Sequence, residues 1–352
     1  MAEPRVSRAI SRQEGSGIRA HSSGRRWALL LGSLLLLLIV AALSLAVGSK
    51  PIPPGVVWEA LVSHDPAQAD HAIIIGSRLP RAVLGLLAGA ALGVAGALIQ
   101  AMTRNPLAEP GILGVNAGAS LAIVIAVGTL GVTSFSGYVW FAFAGAIAAS
   151  AIVYLVGASG RRGMDPVRLV LSGVALGAVL SGIGTGLALL QPAAFDQLRA
   201  WTIGSLADRN PEILGPLAVT LAVGLILAAL TGRDLNALAL GEDTAASLGT
   251  SVRRSRILIL IAVTVLAGGA TAAVGAIGFL GLMAPHLARR FSGQDQRWLL
   301  AFSAIAAPLI LILADVLGRV VIPGELEAGV TCAFIGAPVL VYLARRRRVA
   351  AL

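Results

Sequence analysis

Ten stretches of this chain, near residues 27–47, 82–103, 112–131, 138–157, 168–190, 212–231, 257–275, 277–290, 298–318 and 328–344, run almost without charge, and nothing else in the sequence constrains the fold as tightly. A helix needs about 20 apolar residues to cross the hydrocarbon core of a bilayer. The runs therefore predict an all-α, polytopic membrane protein with about ten transmembrane helices. Composition agrees. Of the 352 residues, 57% are hydrophobic and only 12% charged, and the mean hydropathy is +0.87, which leaves too little polar surface for soluble domains.

The charges that remain are sorted by segment. With the N-terminus inside, the inner segments hold 21 of the 27 basic residues: six in the tail, then Arg104, Arg161, Arg162, Arg168, Arg233, Arg253, Arg254, Arg256, Arg289, Arg290, Arg297 and Arg345 to Arg348. The outer segments hold the other six, Lys50, Arg78, Arg81, Arg199, Arg209 and Arg319. This asymmetry predicts a multi-pass plasma-membrane protein with both termini cytoplasmic. The net charge of +10 is spread in short clusters between apolar runs and builds no basic face, so it predicts contact with membrane lipids and not with nucleic acid.

Residues 1–26 read as a disordered basic cytoplasmic tail, 27–345 as the ten-helix membrane domain and 346–352 as a second basic tail. Residues 24–50 imitate a signal peptide, but the apolar run from Trp27 to Val47 is longer than a usual signal core and reads as an uncleaved first span. Between 48 and 80 the sequence predicts a short surface helix at 56–62 and a helix start at Pro80. The eighth run, with Pro285 inside it, reads as a short or broken helix, tolerable only where protein surrounds it. Gly85, Gly89 and Gly93 recur at helical spacing, which lets backbones approach closely. Ala88, Gly89, Ala91, Gly96, Ala97 and Pro106 recur 179 residues later as Ala267, Gly268, Ala270, Gly275, Ala276 and Pro285, a hint of an inverted repeat.

Chemistry is conspicuously thin. The only lysine, Lys50, sits in Gly-Ser-Lys-Pro and not in a nucleotide-binding loop, so this chain does not hydrolyse nucleotide. Asp315 is the one acidic residue clearly inside a run; it stands four before Arg319, close enough to pair on one helix face. No ion relay can be assembled from that. The single cysteine, Cys332, reads as packing, and the four histidines are scattered. The inner segment 232–256, by contrast, is long, and within it Leu235 to Leu248 reads as a short amphipathic helix with Ala245 and Leu248 on one side and Glu242 and Asp243 exposed. A conduit with no motor and a structured inner segment points to energy delivered by a separate subunit. A self-sufficient secondary carrier and a membrane-embedded enzyme or sensor are the rival readings.

The stretch 89–120, GAALGVAGALIQAMTRNPLAEPGILGVNAGAS, together with Arg78-Leu79-Pro80-Arg81, resembles the permease family of ABC importers for iron-siderophores, haem and cobalamin. The likeness continues in order through Trp201 to Leu206, LALGEDTAASLG at 238–249, GAIGFLGLMAPHLAR at 275–289 and GVTCAFIGAPVLVYL at 329–343. It implies a type II importer permease with ten spans, paired with a second permease copy or a paralogue. It also implies two cytoplasmic ABC ATPase subunits, which carry the ATP and magnesium, and an extracytoplasmic substrate-binding protein. This chain itself is then a transport subunit with no catalytic, cofactor or metal site.

The same resemblance assigns positions. Arg78, Arg81 and Arg319 would dock the binding protein, and Gly241, Glu242, Ala245, Leu248 and Gly249 would contact the ATPase. Trp201, Gly204 and Ser205 would lie in a re-entrant wall of the outer vestibule, and Asp165, Pro166 and Val167 would approach the cytoplasmic gate. Gln100, Asn105 and Pro106 read as caps of the inner turn.

Overall fold

The computed structural model describes residues 23–159, 166–322 and 324–345. Among these, all regular structure is helical. Each of the ten apolar runs holds one helix: α1 (Ser23–Ala46), α4 (Leu79–Thr103), α5 (Val115–Gly128), α6 (Phe135–Ala158), α7 (Pro166–Leu189), α9 (Leu214–Ala239), α11 (Val252–Val274), α12 (Leu280–Ser292), α13 (Gln296–Val321) and α14 (Ala328–Arg345). Four shorter helices lie between them, α2 (Pro54–Val62), α3 (Ala69–Ile73), α8 (Pro192–Ile203) and α10 (Glu242–Ser247). Seven segments are long and apolar enough to cross a bilayer unaided; α5, with 14 residues, and α12, with 13, are not among them.

α4 lies at the centre, packed against α9, α11, α12 and α13. Its most apolar window is 78% buried and that of α11 72%, against 22% for α1, 17% for α7 and 22% for α9. The first pair is therefore protein core, and the others turn most of their surface outward. Small residues bring the core helices together: a Cβ added at Gly89 would lie 2.5 Å from Pro308 Cα, and one at Gly93 would lie 2.4 Å from the Ser303 carbonyl, both on α13. No side chain larger than hydrogen fits at that contact, and close approach replaces a driving force that water supplies in soluble proteins.

Several expectations need correction. The helix containing Pro80 does not begin there: α3 runs through a π turn, Ile74–Arg78, directly into α4. In that turn Leu79 N bonds Ile74 O, five residues back, and the wider spacing makes room for the Pro80 ring against the preceding turn. α9 continues to Ala239, eight residues past its expected end, so 232–256 is no long loop. Its polar end is braced sideways, Asn236 Nδ2 donating to Asp295 Oδ1 at 3.1 Å while Asn236 Oδ1 accepts from Gln296 N at 2.8 Å. The 179-residue offset holds only in part: Ala88, Gly89 and Ala91 on α4 correspond to Ala267, Gly268 and Ala270 on α11, but the later positions part company. Gly96 lies inside α4, whereas Gly275, at φ 82, ends α11; Pro106 sits in a loop, and Pro285 inside α12. Of the two basic tails, 1–22 and 346–352 lie outside the described residues, and α1 begins at Ser23, inside the expected tail.

Irregular backbone at membrane depth survives only where protein satisfies it. Residues 275–279, between α11 and the short α12, meet that condition. Ala276 N donates to Trp201 O at 3.4 Å, and Phe279 N donates to Glu109 Oε1 at 2.7 Å. The broken eighth span is thus wrapped by α8 and by the loop before α5.

Candidate functional site: two ends and a wall

At one end of the bundle, the rim, three of the predicted residues meet. Arg81 Nε donates to both oxygens of Asp315, at 3.0 and 3.1 Å, its Nη2 to Oδ1 at 2.8 Å and its Nη1 to Glu325 Oε2 at 2.8 Å. Arg319 pairs with Asp315 from one helical turn away, as its spacing predicted, and its Nη1 donates to Ser44 O at 2.9 Å. Arg78 Nη1 donates to the carbonyls of Leu45 at 2.7 Å and Ala46 at 3.0 Å, and its Nη2 to that of Lys50.

Its centre is buried, with relative exposure of 1% for Asp315, 5% for Arg319 and 6% for Arg78, while Glu325 at its edge keeps 34% of its side chain in solvent. Arg78 and Arg319 occupy the unpaired carbonyls at the C-terminus of α1, which favour a cation. The three guanidiniums thus make most of their hydrogen bonds inside the chain, with Arg319 Nε left buried and unpartnered, and stitch α1, α4 and α13 together. Gly48 makes room for this, since a Cβ there would lie 2.8 Å from Arg78 Nη2. The sequence pointed to these positions but not to Asp315 as the shared partner of Arg81, which is 234 residues away.

At the opposite, arginine-rich end, α10 stands apart. Gly241, at φ 108, breaks the chain after α9, and Gly249, at φ 82, ends the short helix; a side chain at either position would be strained. Ala245 and Leu248 were expected on one side of this helix, but they face opposite ways: Ala245 is fully buried and Leu248 64% exposed. Leu248 is not inside this six-residue helix but caps its end, where neighbouring elements no longer cover it. Glu242 is anchored and not simply exposed: it pairs with Arg256 at the base of α11, and Arg104 Nη2, beyond the end of α4, lies 3.8 Å away. Ser255 also donates to Asp234, tying the base of α11 to α9.

Between the ends, α8 and the turn after it form a wall. Trp201 is 1% exposed, and its carbonyl accepts from Ala276 N. Gly204, at φ 71, would place a Cβ 2.5 Å from Ala276 O; its own carbonyl accepts from Gly329 N, and Ser205 N donates to Val274 O. These three residues hold the wall in place, while Thr202 and Ile203 face a recess of about 630 Å³ that also touches Gly278, Phe334 and Pro338. Of the gate residues, Asp165 lies outside the described residues, Pro166 opens α7 and Val167 is 65% exposed. Gln100, expected as a cap, instead bridges two helices: its Nε2 donates to Gly281 O at 3.2 Å and its Oε1 accepts from Arg289 Nη2 at 3.2 Å.

A chain built this way has close counterparts. The FecCD transport family matches residues 35–346. The ferric enterobactin transport system permease protein FepD of Escherichia coli is 52% identical over 316 residues, covering 90% of this chain and 94% of that protein. The Fe(3+)-citrate import system permease protein YfmD of Bacillus subtilis is 39% identical, covering 93% and 98%. A solved metal-chelate type ABC transporter, in an inward-facing conformation, superposes with a TM-score of 0.78 at 27% identity, covering 91% of this chain and 99% of that one. With nearly the whole length matched and the helical architecture shared, this chain belongs to the FecCD transport family, as a non-catalytic, multi-pass permease subunit of an ATP-binding-cassette importer.

Proposed function

We propose that the chain passes a ferric siderophore complex into the cytoplasm, drawing its work from a separate ATPase that grips α10. One observation carries the mechanism: α10 presents Leu248 to solvent at the arginine-rich end while Glu242 fastens the helix to α11 and Ala245 is sunk beneath it. Such a helix can be pushed from outside and can pass the push to the core. In this reading Gly241 and Gly249 set its angle, Leu248 enters a groove on the ATPase, and Glu242 is the strut. The iron-chelate cargo is supported by the names of the relatives, which transport ferric enterobactin or ferric citrate.

The remaining partners follow the same logic. The arginine-rich end is the cytoplasmic one, with both termini there, because basic residues are retained on that side. The recess beside Phe334, which is 74% exposed, and the outward face of α7 around Leu171, Val174 and Val179 would meet a second permease copy or a paralogue, closing a central path. At the rim, an extracytoplasmic binding protein would dock on a surface whose shape Arg78, Arg81 and Arg319 fix from within. Buried and already partnered, they would hold that rim rather than reach for acidic lobes.

The test is reconstitution into proteoliposomes with the cognate ATPase and binding protein, followed by uptake of a radiolabelled ferric siderophore against competing haem and cobalamin. Uptake that needs ATP and is blocked only by the siderophore supports the reading. Uptake driven by an ion gradient with no ATPase present would sink it, and blockage by haem or cobalamin would replace the cargo.

A further inference from the structure

α6 and α11 meet tightly toward the rim and part toward the arginine-rich end. At the tight point a Cβ on Gly268 would lie 3.4 Å from Ala146 Cβ and from the Phe143 ring. Beyond it the two helices enclose a groove of about 320 Å³, with Ile147, Ser150, Ala151 and Tyr154 on one wall and Ile257 and Ile261 on the other. The three- and four-residue spacing makes each wall a single helix face. Ile147 and Ile261 remain 40% and 45% exposed, so the groove opens sideways, away from the core.

Three features select what fits there. First, the α6 wall spans seven helical steps, ~10 Å, and a helix with its side chains is itself ~10 Å across. The groove, about 320 Å³ and open to the side, suits a flexible hydrocarbon chain better than a rigid helix. Secondly, Ser150 Oγ is buried and has no hydrogen-bond partner. It supplies one donor that an ester carbonyl would meet and a bare alkane would leave unmet. Thirdly, Arg253 and Arg254 are exposed on the first turn of α11, and Arg254 precedes the groove residue Ile257 by three residues, on the same helix face. Adjacent guanidiniums at the membrane surface match a phosphate and attract the anionic leaflet.

We propose that this groove is a binding site for one anionic glycerophospholipid. An acyl chain lies between Ala151 and Ile261, the ester region lies beside Tyr154 and Ser150, and the phosphate sits at Arg253 and Arg254. The site rests only on the chain's spanning a bilayer and is independent of the cargo and of the ATPase. Because α11 also carries Arg256, the partner of Glu242 on α10, the lipid would brace the same helix that receives the push.

Native mass spectrometry of the purified chain, offered equimolar phosphatidylglycerol and phosphatidylcholine in detergent, tests this. Wild type retains phosphatidylglycerol preferentially. Each arginine replaced by glutamine, Arg253→Gln or Arg254→Gln, lowers that retention about fivefold and leaves phosphatidylcholine unchanged. Ala151→Phe fills the groove from an outward-facing position and removes both lipids, while the helical circular dichroism and the elution volume stay those of wild type. Equal retention of the two lipids by wild type, survival of the adduct in Ala151→Phe, or an equal loss caused by Arg290→Gln on the distant α12 would each overturn the site, the last by reducing it to general surface charge.

Discussion

The rim and the arginine-rich end each carry an ion pair between helices, yet the two pairs are built for opposite purposes. At the rim, Asp315 is sealed between Arg81 and Arg319, with side chains 2%, 10% and 3% exposed, and three elements are pinned at once. At the other end Glu242 keeps 41% of its side chain in solvent and holds a helix of only six residues. Burial raises the cost of losing a partner, and exposure lowers it. The rim is thus a fixed frame, and α10 a lever that can shift without unfolding anything.

The sharpest way to break that comparison is Asp315→Ala. It leaves two guanidiniums inside the bundle without their shared carboxylate, and losing one partner of a buried ionic cluster costs about 3–5 kcal/mol. Thermal unfolding in detergent should fall accordingly, or the chain should fail to accumulate in the membrane, with Asp315→Asn affected less because the amide still accepts hydrogen bonds. A variant as stable as wild type would mean that the rim is no frame. Exchanging the partners, as Asp315→Arg with Arg319→Asp, would not rescue it, because Arg81 would then face another cation.

The lever should behave differently. Glu242→Ala removes a carboxylate that is 41% exposed from a guanidinium that is 8% exposed, and should cost roughly 1–2 kcal/mol, less than Asp315→Ala. If Glu242 is the strut, this variant still co-purifies with the ATPase, but ATP hydrolysis no longer tracks uptake. The exchanged pair Glu242→Arg with Arg256→Glu should recover part of the uptake. Loss of co-purification in Glu242→Ala would make the residue an ATPase contact instead. No recovery in the exchanged pair would leave the strut without support.

How much of this contrast was written in the sequence depends on how far apart the partners are. Seven of the ten runs were legible because a bilayer demands about 20 apolar residues, whatever the tertiary structure, while the short α5, α12 and α14 were legible only from their lack of charge. The Asp315–Arg319 pair was legible because four residues make one helical face. Arg81 with Asp315, and Arg78 with the carbonyls of Leu45 and Lys50, were not, because nothing local reports a contact across 234 or 28 residues. The end of α9 misled for the same reason: Thr231-Gly232-Arg233-Asp234 looks like the exit from a span, and only the bonds from Ser255 to Asp234 and from Asn236 to Asp295 and Gln296 show why a helix continues through it. The different burial of Ala245 and Leu248 follows from the helix ending at Ser247, which spacing alone does not reveal.

The smallest expected effect on stability comes with one of the largest on function. Leu248 is 64% exposed and packs on little of its own chain, so Leu248→Glu should change stability by no more than about 0.5 kcal/mol. An exposed apolar side chain on a short, glycine-bounded helix has no folding role to lose, which makes it a clean probe of contact with another protein. If the ATPase seats Leu248 in an apolar groove, a carboxylate there must be desolvated without a partner. Co-purification and ATP-dependent uptake should then disappear together while the thermal transition stays put. A fall in the transition temperature would place Leu248 in the fold rather than at an interface, and intact co-purification would move the contact elsewhere on the arginine-rich end.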